Sequence, residues 1–156
     1  MSFVISGLPA DEFKPLFGLS EAALAERGIL RKTADADSGF PCRLSLEDAR
    51  AGDSLLLLNY EHQSADTPFR SRHAIFVNER VTETASYVDA LPPVFTARAY
   101  LSLRAFDEAG MMVDAEVAPR AEMRSTIEKM LQNPQAAYLH AHYAGAGCYA
   151  ARIDRA

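Results

Sequence analysis

The sequence contains no run of about 18 apolar residues, which is the length that a membrane-spanning helix requires. Residues 1–7 also lack the charged segment and the long apolar segment of a secretory signal. We therefore expect a soluble, cytoplasmic protein with no membrane partner.

Cysteine and net positive charge are also scarce. Cys42 and Cys148 are the only cysteines. A reducing cytosol would keep both as thiols, so we expect no structural disulfide. The formal net charge is -5 at pH 7. Because nucleic-acid binding depends on a positive surface that neutralises phosphates, we expect no nucleic-acid partner.

Specific catalytic and cofactor motifs are absent as well. The chain has no Walker loop, no G-x-S-x-G elbow and no H-E-x-x-H or C-x-x-C pair. The segment 145–150 matches the dinucleotide pattern G-x-G-x-x-A, but too few residues follow it for the helix and second strand of a βαβ unit. We therefore predict no cofactor.

The composition and the apolar patterning indicate the fold class. A chain of 156 residues that is 49% hydrophobic and 24% charged fits one globular domain. Hairpin loops connect most of the strand-like segments, so we predict a single β-rich α+β domain with a mainly antiparallel, curled or barrel-like sheet and a few short helices. The predicted strands lie near 3–5, 29–33, 54–60, 72–78, 95–106, 111–117, 137–143 and 148–154.

Capping residues mark the predicted helices. Pro9 and Ser20 suit the starts of two short helices near the beginning of the chain. Ser45 resembles the start of a capping box, which predicts a further short helix that Gly52 ends. The clearest helix is 120–131, which has an apolar stripe and should cover one face of the sheet.

The register of two hairpins follows from their loops. A three-residue loop with Gly110 in the left-handed conformation places Arg104 opposite Asp114. A similar loop in the last hairpin would place Cys148 on the same face as His142, whereas a four-residue loop would place it on the opposite face. The sequence leaves this second register open.

A polar segment between two apolar strands is the first candidate for a ligand site. Strands of this kind hold the polar residues at their ends on a rigid scaffold. The candidate ligand-binding residues are Asn59, Glu61, His62, Arg70, Arg72 and His73.

Two arginines in this segment have two interpretations. In an extended chain Arg70 and Arg72 point to one face and could hold a carboxylate or phosphate. Alternatively, they form ion pairs with Glu61, Asp66 or Asp114 on a solvated edge.

The last hairpin supplies candidate catalytic residues. His140 and His142 share one face of a predicted strand, where either could act as a general base, with Cys148 as a nucleophile. Ordinary hydrogen-bonded histidines are the alternative. A metal would need further ligands, and Glu61, His62, His73 and Cys148, the only plausible donors, do not lie at a diagnostic spacing, so we predict no metal site.

Five motifs, read in order along the chain, look familiar together: 39–43, 56–63, 68–70 with 73–77, 104–107, and 138–142 with 147–148. The sequence resembles the bacterial family called domain of unknown function 1203, over essentially the whole chain. The resemblance implies a bacterial, single-domain, cytosolic protein and brings no activity, cofactor or catalytic residue.

Two functions remain open at this stage. The first is a cytosolic protein or small enzyme that binds a small anionic ligand in a pocket of arginine, histidine and cysteine side chains. The second is a non-catalytic interaction module, a homodimer in which the polar cluster is structural. Convergent side chains in a closed pocket would favour the first. A large apolar face paired across a two-fold axis would favour the second.

Overall fold

A computed structural model describes all residues from 1 to 156. It confirms the α+β class, with 38% of the residues in strands and 18% in short helices. Strands within each sheet pair antiparallel, as predicted. They form two separate sheets, of six and three strands, and not a closed barrel. No helix combines the length and the apolar character needed to cross a membrane.

Nine strands and three α-helices alternate along the chain with three single-turn 3₁₀-helices. The strands are β1 (Phe3–Ser6), β2 (Leu30–Thr33), β3 (Ser54–Gln63), β4 (Ser71–Asn78), β5 (Ser86–Val88), β6 (Tyr100–Phe106), β7 (Met112–Pro119), β8 (Tyr138–Tyr143) and β9 (Tyr149–Arg155). The α-helices are α1 (Glu21–Glu26), α2 (Pro93–Thr96) and α3 (Met123–Leu131), and the 3₁₀-helices are Ala10–Glu12, Lys14–Leu16 and Arg120–Glu122.

The two faces of the large sheet differ in what they bury. The sheet has the strand order β5-β1-β9-β8-β6-β7, and α3 packs on one face over a core of 20 buried residues. Leu139 and Ala141 of β8 belong to this core, so strand alternation turns His140 and His142 to the other face. A second core of 12 buried residues joins the small sheet, β2-β3-β4, to that other face through Tyr149 of β9.

Two predicted elements are wrong. The segment after Ser45 is not a helix, because Leu46 has a φ of 57° and the chain reverses there, with a β-bridge between Pro41 and Asp48. The strand predicted from residue 95 begins only at Tyr100. Its first part is the single turn α2, which starts at Pro93.

A β-bulge shifts the register predicted for the β6–β7 hairpin. The loop itself is as expected: the Asp107 amide donates to the Met111 carbonyl, and Gly110 has a φ of 85°. Beyond the loop, however, the extra residue Val113 moves the pairing by one position, so that Ala105 and not Arg104 lies opposite Asp114. The predicted pairing of Arg104 with Asp114 is therefore wrong.

Candidate functional site

All four histidines of the chain come together between the two sheets. His62 lies near the end of β3, His73 lies in β4, and His140 and His142 lie in β8. The ring centroids of His62 and His73 are 4.7 Å apart, and those of His62 and His142 are 5.0 Å apart. We call these four residues the histidine cluster.

Two nearly parallel aromatic rings stack on His62 and fix the plane of its imidazole. The His73 ring stacks on His62 with an interplanar angle of 7°. The Tyr149 ring stacks on His62 at a centroid distance of 5.0 Å with an angle of 11°. His140 and His142 meet the same ring edge-on, at interplanar angles of 70° and 79°. The arrangement brings the nitrogen-bearing edges of three imidazoles together.

Burial keeps the imidazoles of the histidine cluster neutral. Loss of solvent lowers the pKa of His62 to about 4 and the pKa values of His140 and His142 to about 3. The pKa of His73 is lowered by the same cause. Nearby positive charge, including that of Arg104, adds to each of these shifts. Near neutral pH the four rings therefore carry lone pairs instead of charge.

Arg104 is the charged neighbour of the histidine cluster. It lies opposite His140 on β6, forms no ion pair or hydrogen bond through its side chain, and its pKa is lowered by burial. A partly buried guanidinium without an acceptor favours an anion in its neighbourhood. It is one of the residues that sequence patterning missed.

A cavity of about 750 Å³ lies beside the histidine cluster. The cavity is mostly apolar, and His73 is the only histidine that lines it. Its other chemically informative lining residues are Arg43, Arg98, Tyr143 and Cys148. It has the size and the mixture of apolar walls and few polar groups that small-molecule sites have.

Arg43 is the most deeply buried charge in the cavity wall, with an exposed fraction of 2%. Its Nε donates to the Tyr149 carbonyl at 2.8 Å and its Nη1 donates to the Pro41 carbonyl at 2.6 Å. Its Nη2 lies 3.3 Å from the Cys148 sulfur. Three of the five N–H groups of Arg43 therefore have protein acceptors. None of these acceptors is a carboxylate, and no ion pair compensates the charge.

Tyr143 lies between two guanidiniums. The centre of its ring is 5.1 Å from the Arg43 guanidinium carbon and 5.1 Å from that of Arg98. Burial raises the pKa of Tyr143 to about 12, and its hydroxyl is buried with no hydrogen-bond partner. Arg98 differs from Arg43 because it forms an ion pair with Asp48 at 3.3 Å.

The predicted arginine pair lies outside the cavity. The Nε of Arg70 is 3.2 Å from a Glu61 carboxylate oxygen, and Nη1 of Arg72 is 3.9 Å from the other oxygen. Arg72 also donates to the Asn59 side chain. Both arginine side chains are more than half exposed. Of the two interpretations, the structure shows the ion pairs on a solvated edge.

The loop of the last hairpin separates Cys148 from the histidines. The Tyr143 amide donates to the Cys148 carbonyl, which closes a four-residue loop, and a bulge at Ala150 places Tyr149 opposite His142. Cys148 packs against the large core, and no histidine forms a hydrogen bond with its sulfur. The cysteine–histidine pair that a three-residue loop would form is absent.

Sequence patterning did not predict that the four histidines lie together. It selected His62, His73, His140 and His142 as candidates, but from two unrelated segments. It missed Arg43, although this residue ends the first of the five motifs, because a lone arginine next to an apolar segment has no diagnostic spacing.

One comparison with known proteins is informative. Residues 39–155 match the model of the family described as "Protein of unknown function (DUF1203)". No curated protein and no solved structure matches the chain. Because the matched segment covers most of the chain and includes the histidine cluster and the cavity, the protein belongs to the DUF1203 family.

Proposed function

We propose that the protein binds a small molecule bearing a carboxylate or phosphate group in the cavity, with Arg43 as the anchor for the anion. The observation that carries the proposal is a guanidinium that is 2% exposed, lines a cavity of about 750 Å³ and has no acidic partner. The sequence suggested the same class of ligand but assigned the anion to Arg70 and Arg72.

Burial of the Arg43 charge costs free energy that its protein partners only partly offset. An ionised group removed from water is strongly destabilising unless a charge or several hydrogen bonds compensate it. Two backbone carbonyls and one sulfur accept from Arg43, which leaves one N–H on each terminal nitrogen without a protein acceptor. A carboxylate or phosphate is the acceptor that such a pair binds best.

The remaining lining groups suit the rest of such a ligand. The Tyr143 hydroxyl is a buried group without a partner, and it can donate a hydrogen bond to a ligand oxygen. The apolar part of the wall, which includes Leu57 and Phe76, suits a short hydrocarbon or aromatic portion. His140 and His142 do not line the cavity, so we propose binding and assign them no proton transfer on this ligand.

Calorimetry with citrate and inorganic phosphate as probes tests the proposal. We expect at least one probe to bind with one-to-one stoichiometry, and Arg43→Met to weaken it by about 10- to 100-fold, as loss of a hydrogen bond to a charged group does. Arg72→Met is the matched control and should bind like the parent chain. If Arg43→Met fails to fold, Ala144→Phe narrows the cavity from an exposed lining position and should likewise weaken binding.

Two outcomes would contradict the proposal. One is the absence of binding by either probe together with native mass spectra that show no bound small molecule. The other is that Arg72→Met abolishes binding of the probe, whereas Arg43→Met or Ala144→Phe leaves the affinity unchanged.

The homodimeric interaction module is the alternative, and the exposed apolar residues bear on it. Large exposed hydrophobic side chains lie on β2, β5 and the β6–β7 hairpin, namely Leu30, Val88, Tyr100 and Val117. Light scattering after size exclusion separates the alternatives. A dimer whose formation is abolished by Val117→Lys, in a chain that binds neither anion, would favour the interaction module.

A further inference from the structure

Three donor atoms converge inside the histidine cluster. One ring nitrogen from each of His62, His140 and His142 lies within 4.8 Å of the corresponding atoms of the other two. A tetrahedral Zn²⁺ with Zn–N bonds of about 2.0–2.1 Å needs its nitrogens about 3.4 Å apart. Each of the three nitrogens would reach such an ion by moving inward by at most about 0.8 Å, which is within the range of small side-chain rotations.

The three residues also lack hydrogen-bond partners where an ion would lie. Both nitrogens of His62, Nδ1 of His140 and Nε2 of His142 are buried and have no partner. His140 and His142 are 3% and 0% exposed, so bulk solvent does not supply the missing hydrogen bonds. Buried polar atoms in native proteins are nearly always paired, and a group of four unpaired atoms on three converging rings calls for a shared partner.

Hydrogen bonding and stacking prepare two of the rings for such a partner. Nδ1 of His142 lies 2.9 Å from the Gly147 carbonyl, so in the neutral ring this nitrogen carries the proton and donates. The lone pair is then on Nε2, the atom without a partner. Metal-bound histidines commonly make this kind of bond to a backbone carbonyl through their other nitrogen. The stacking by His73 and Tyr149 fixes the plane of His62.

We propose that His62, His140 and His142 bind one divalent transition-metal ion, for which Zn²⁺ is the best-matched candidate. The donor set is entirely imidazole, which suits Zn²⁺, Cu²⁺ or Ni²⁺ and does not suit Ca²⁺ or Mg²⁺.

The sequence alone predicted no metal site, and the fold explains why its spacing argument does not hold. It predicted no metal because the donors lie at no diagnostic spacing. In the structure His62 comes from the small sheet and the other two ligands come from the large sheet, so their spacing along the chain is not informative. Three histidines leave a fourth position for water or for an anion, and the nearby charge of Arg104 favours an anion there.

Zinc binding to the tag-free chain tests the site. The protein is first dialysed against EDTA and then against chelator-free buffer. Titration against a chromogenic chelator should give one equivalent of Zn²⁺, and the melting temperature should rise with Zn²⁺ and fall again with EDTA. His62→Gln, His140→Gln and His142→Gln should each weaken binding by about 100-fold or more, because loss of a direct ligand costs at least as much as loss of its supporting partner.

The matched control is His73→Phe. It keeps an aromatic ring stacked on His62 and removes only the imidazole nitrogens of His73, which are not among the three converging donors, so zinc affinity should fall by less than about tenfold, the lower end of the cost of losing an outer-shell partner. The unsubstituted chain gives a second readout that does not depend on folding of variants. Co²⁺ should produce the intense visible absorption of a four-coordinate ion.

The proposal would be overturned by zinc uptake well below one equivalent, or by Co²⁺ spectra of a six-coordinate ion in water. It would also be overturned if the three ligand substitutions left zinc affinity unchanged in folded protein, or if His73→Phe abolished binding as completely as they do. The anion proposal does not depend on these results, because its probes are titrated into metal-free protein.

Discussion

The imidazole of His62 lies almost parallel to that of His73, with ring centroids 4.7 Å apart and an interplanar angle of 7°. His62 comes from β3 and His73 from β4, and none of the nitrogens of His62 forms a hydrogen bond. Ring stacking therefore contributes more to the position of His62 than hydrogen bonding does.

Substitutions at His73 separate its stacking from its polarity. His73→Phe keeps an aromatic ring against His62, whereas His73→Ala removes it. Because an aromatic pair contributes about 0.5–1.5 kcal/mol beyond the area it buries, we expect His73→Ala to lower the free energy of unfolding by about 1–2 kcal/mol more than His73→Phe does. Urea denaturation of the two variants measures the difference. Equal destabilisation by both would show that the stack contributes nothing.

The Glu79 carboxylate should make the free energy of unfolding depend on pH in the acidic range. Its carboxylate accepts from Arg31 at 2.7 Å, from Ser54 at 2.6 Å and from the Gly18 amide at 3.0 Å, and the Arg31 guanidinium is the main cause that lowers its pKa to about 2. A folded-state pKa below the unfolded value stabilises the native state above the unfolded pKa, 4.5, and this contribution is lost as the pH falls from there to about 2.

Glu79→Gln tests this dependence. At pH 7 we expect the free energy of unfolding to fall by about 2 kcal/mol, and the loss of stability between pH 4.5 and 2 to become shallower than in the parent chain. Glu83→Gln, at an exposed position with no hydrogen bond, is the control and should change little. Parallel pH profiles for the parent chain and Glu79→Gln would contradict the assignment.

Gly110 should tolerate no side chain, for two separate reasons. Its φ is 85°, and a Cβ atom at this position would lie 2.3 Å from the Cβ of Ala65. Gly39 has a similar φ of 89° but open space around it, so Gly39→Ala measures the conformational cost alone, about 1 kcal/mol. We expect Gly110→Ala to cost about 1–3 kcal/mol more, as overpacking does. Thermal or urea unfolding of the two variants should show this order, and equal costs would be evidence against the close contact.

The two thiols should differ in reactivity because they differ in exposure. Cys42 is 1% exposed, and its sulfur accepts from the amides of Leu44 and Asn78, whereas Cys148 is partly exposed in the cavity wall. We expect iodoacetamide to label Cys148 at least about tenfold faster than Cys42, since labelling of a buried thiol needs local opening. His142→Gln should not slow the reaction, because no histidine forms a hydrogen bond with the Cys148 sulfur. Peptide mass spectrometry after timed labelling distinguishes the sites, and slowing by His142→Gln would restore a cysteine–histidine pair.

Local patterning located most strands, since alternation and turn residues are encoded within a few positions of each other. It did not predict the strand register where one extra residue forms a β-bulge. Neither Val113 nor Ala150 has a side chain that marks a bulge, yet each shifts a hairpin by one position, and this shift decides which side chains share a face. The helix predicted at Ser45 failed for a related reason, because burial of Leu46 in the large core overrides the capping signal.

The candidate site was predictable in its residue types and not in its geometry. His140 and His142 share a face because they are two positions apart on one strand, which sequence alone indicates. Their convergence with His62 depends on how two sheets pack, and the surroundings of Arg43 depend on the last hairpin, which lies more than 100 residues further along the chain. Contacts between distant segments of this kind have no local signature.

Three consecutive residues of the last hairpin contact both candidate sites. The Gly147 carbonyl holds His142, while the Cys148 sulfur and the Tyr149 carbonyl both accept from Arg43. A change in the conformation of this tripeptide therefore alters the histidine cluster and the cavity wall together. If occupancy of one site strains or relaxes these peptides, thermodynamic linkage requires the effect to be mutual: an ion at the imidazoles would change anion affinity by the same factor by which the anion changes ion affinity.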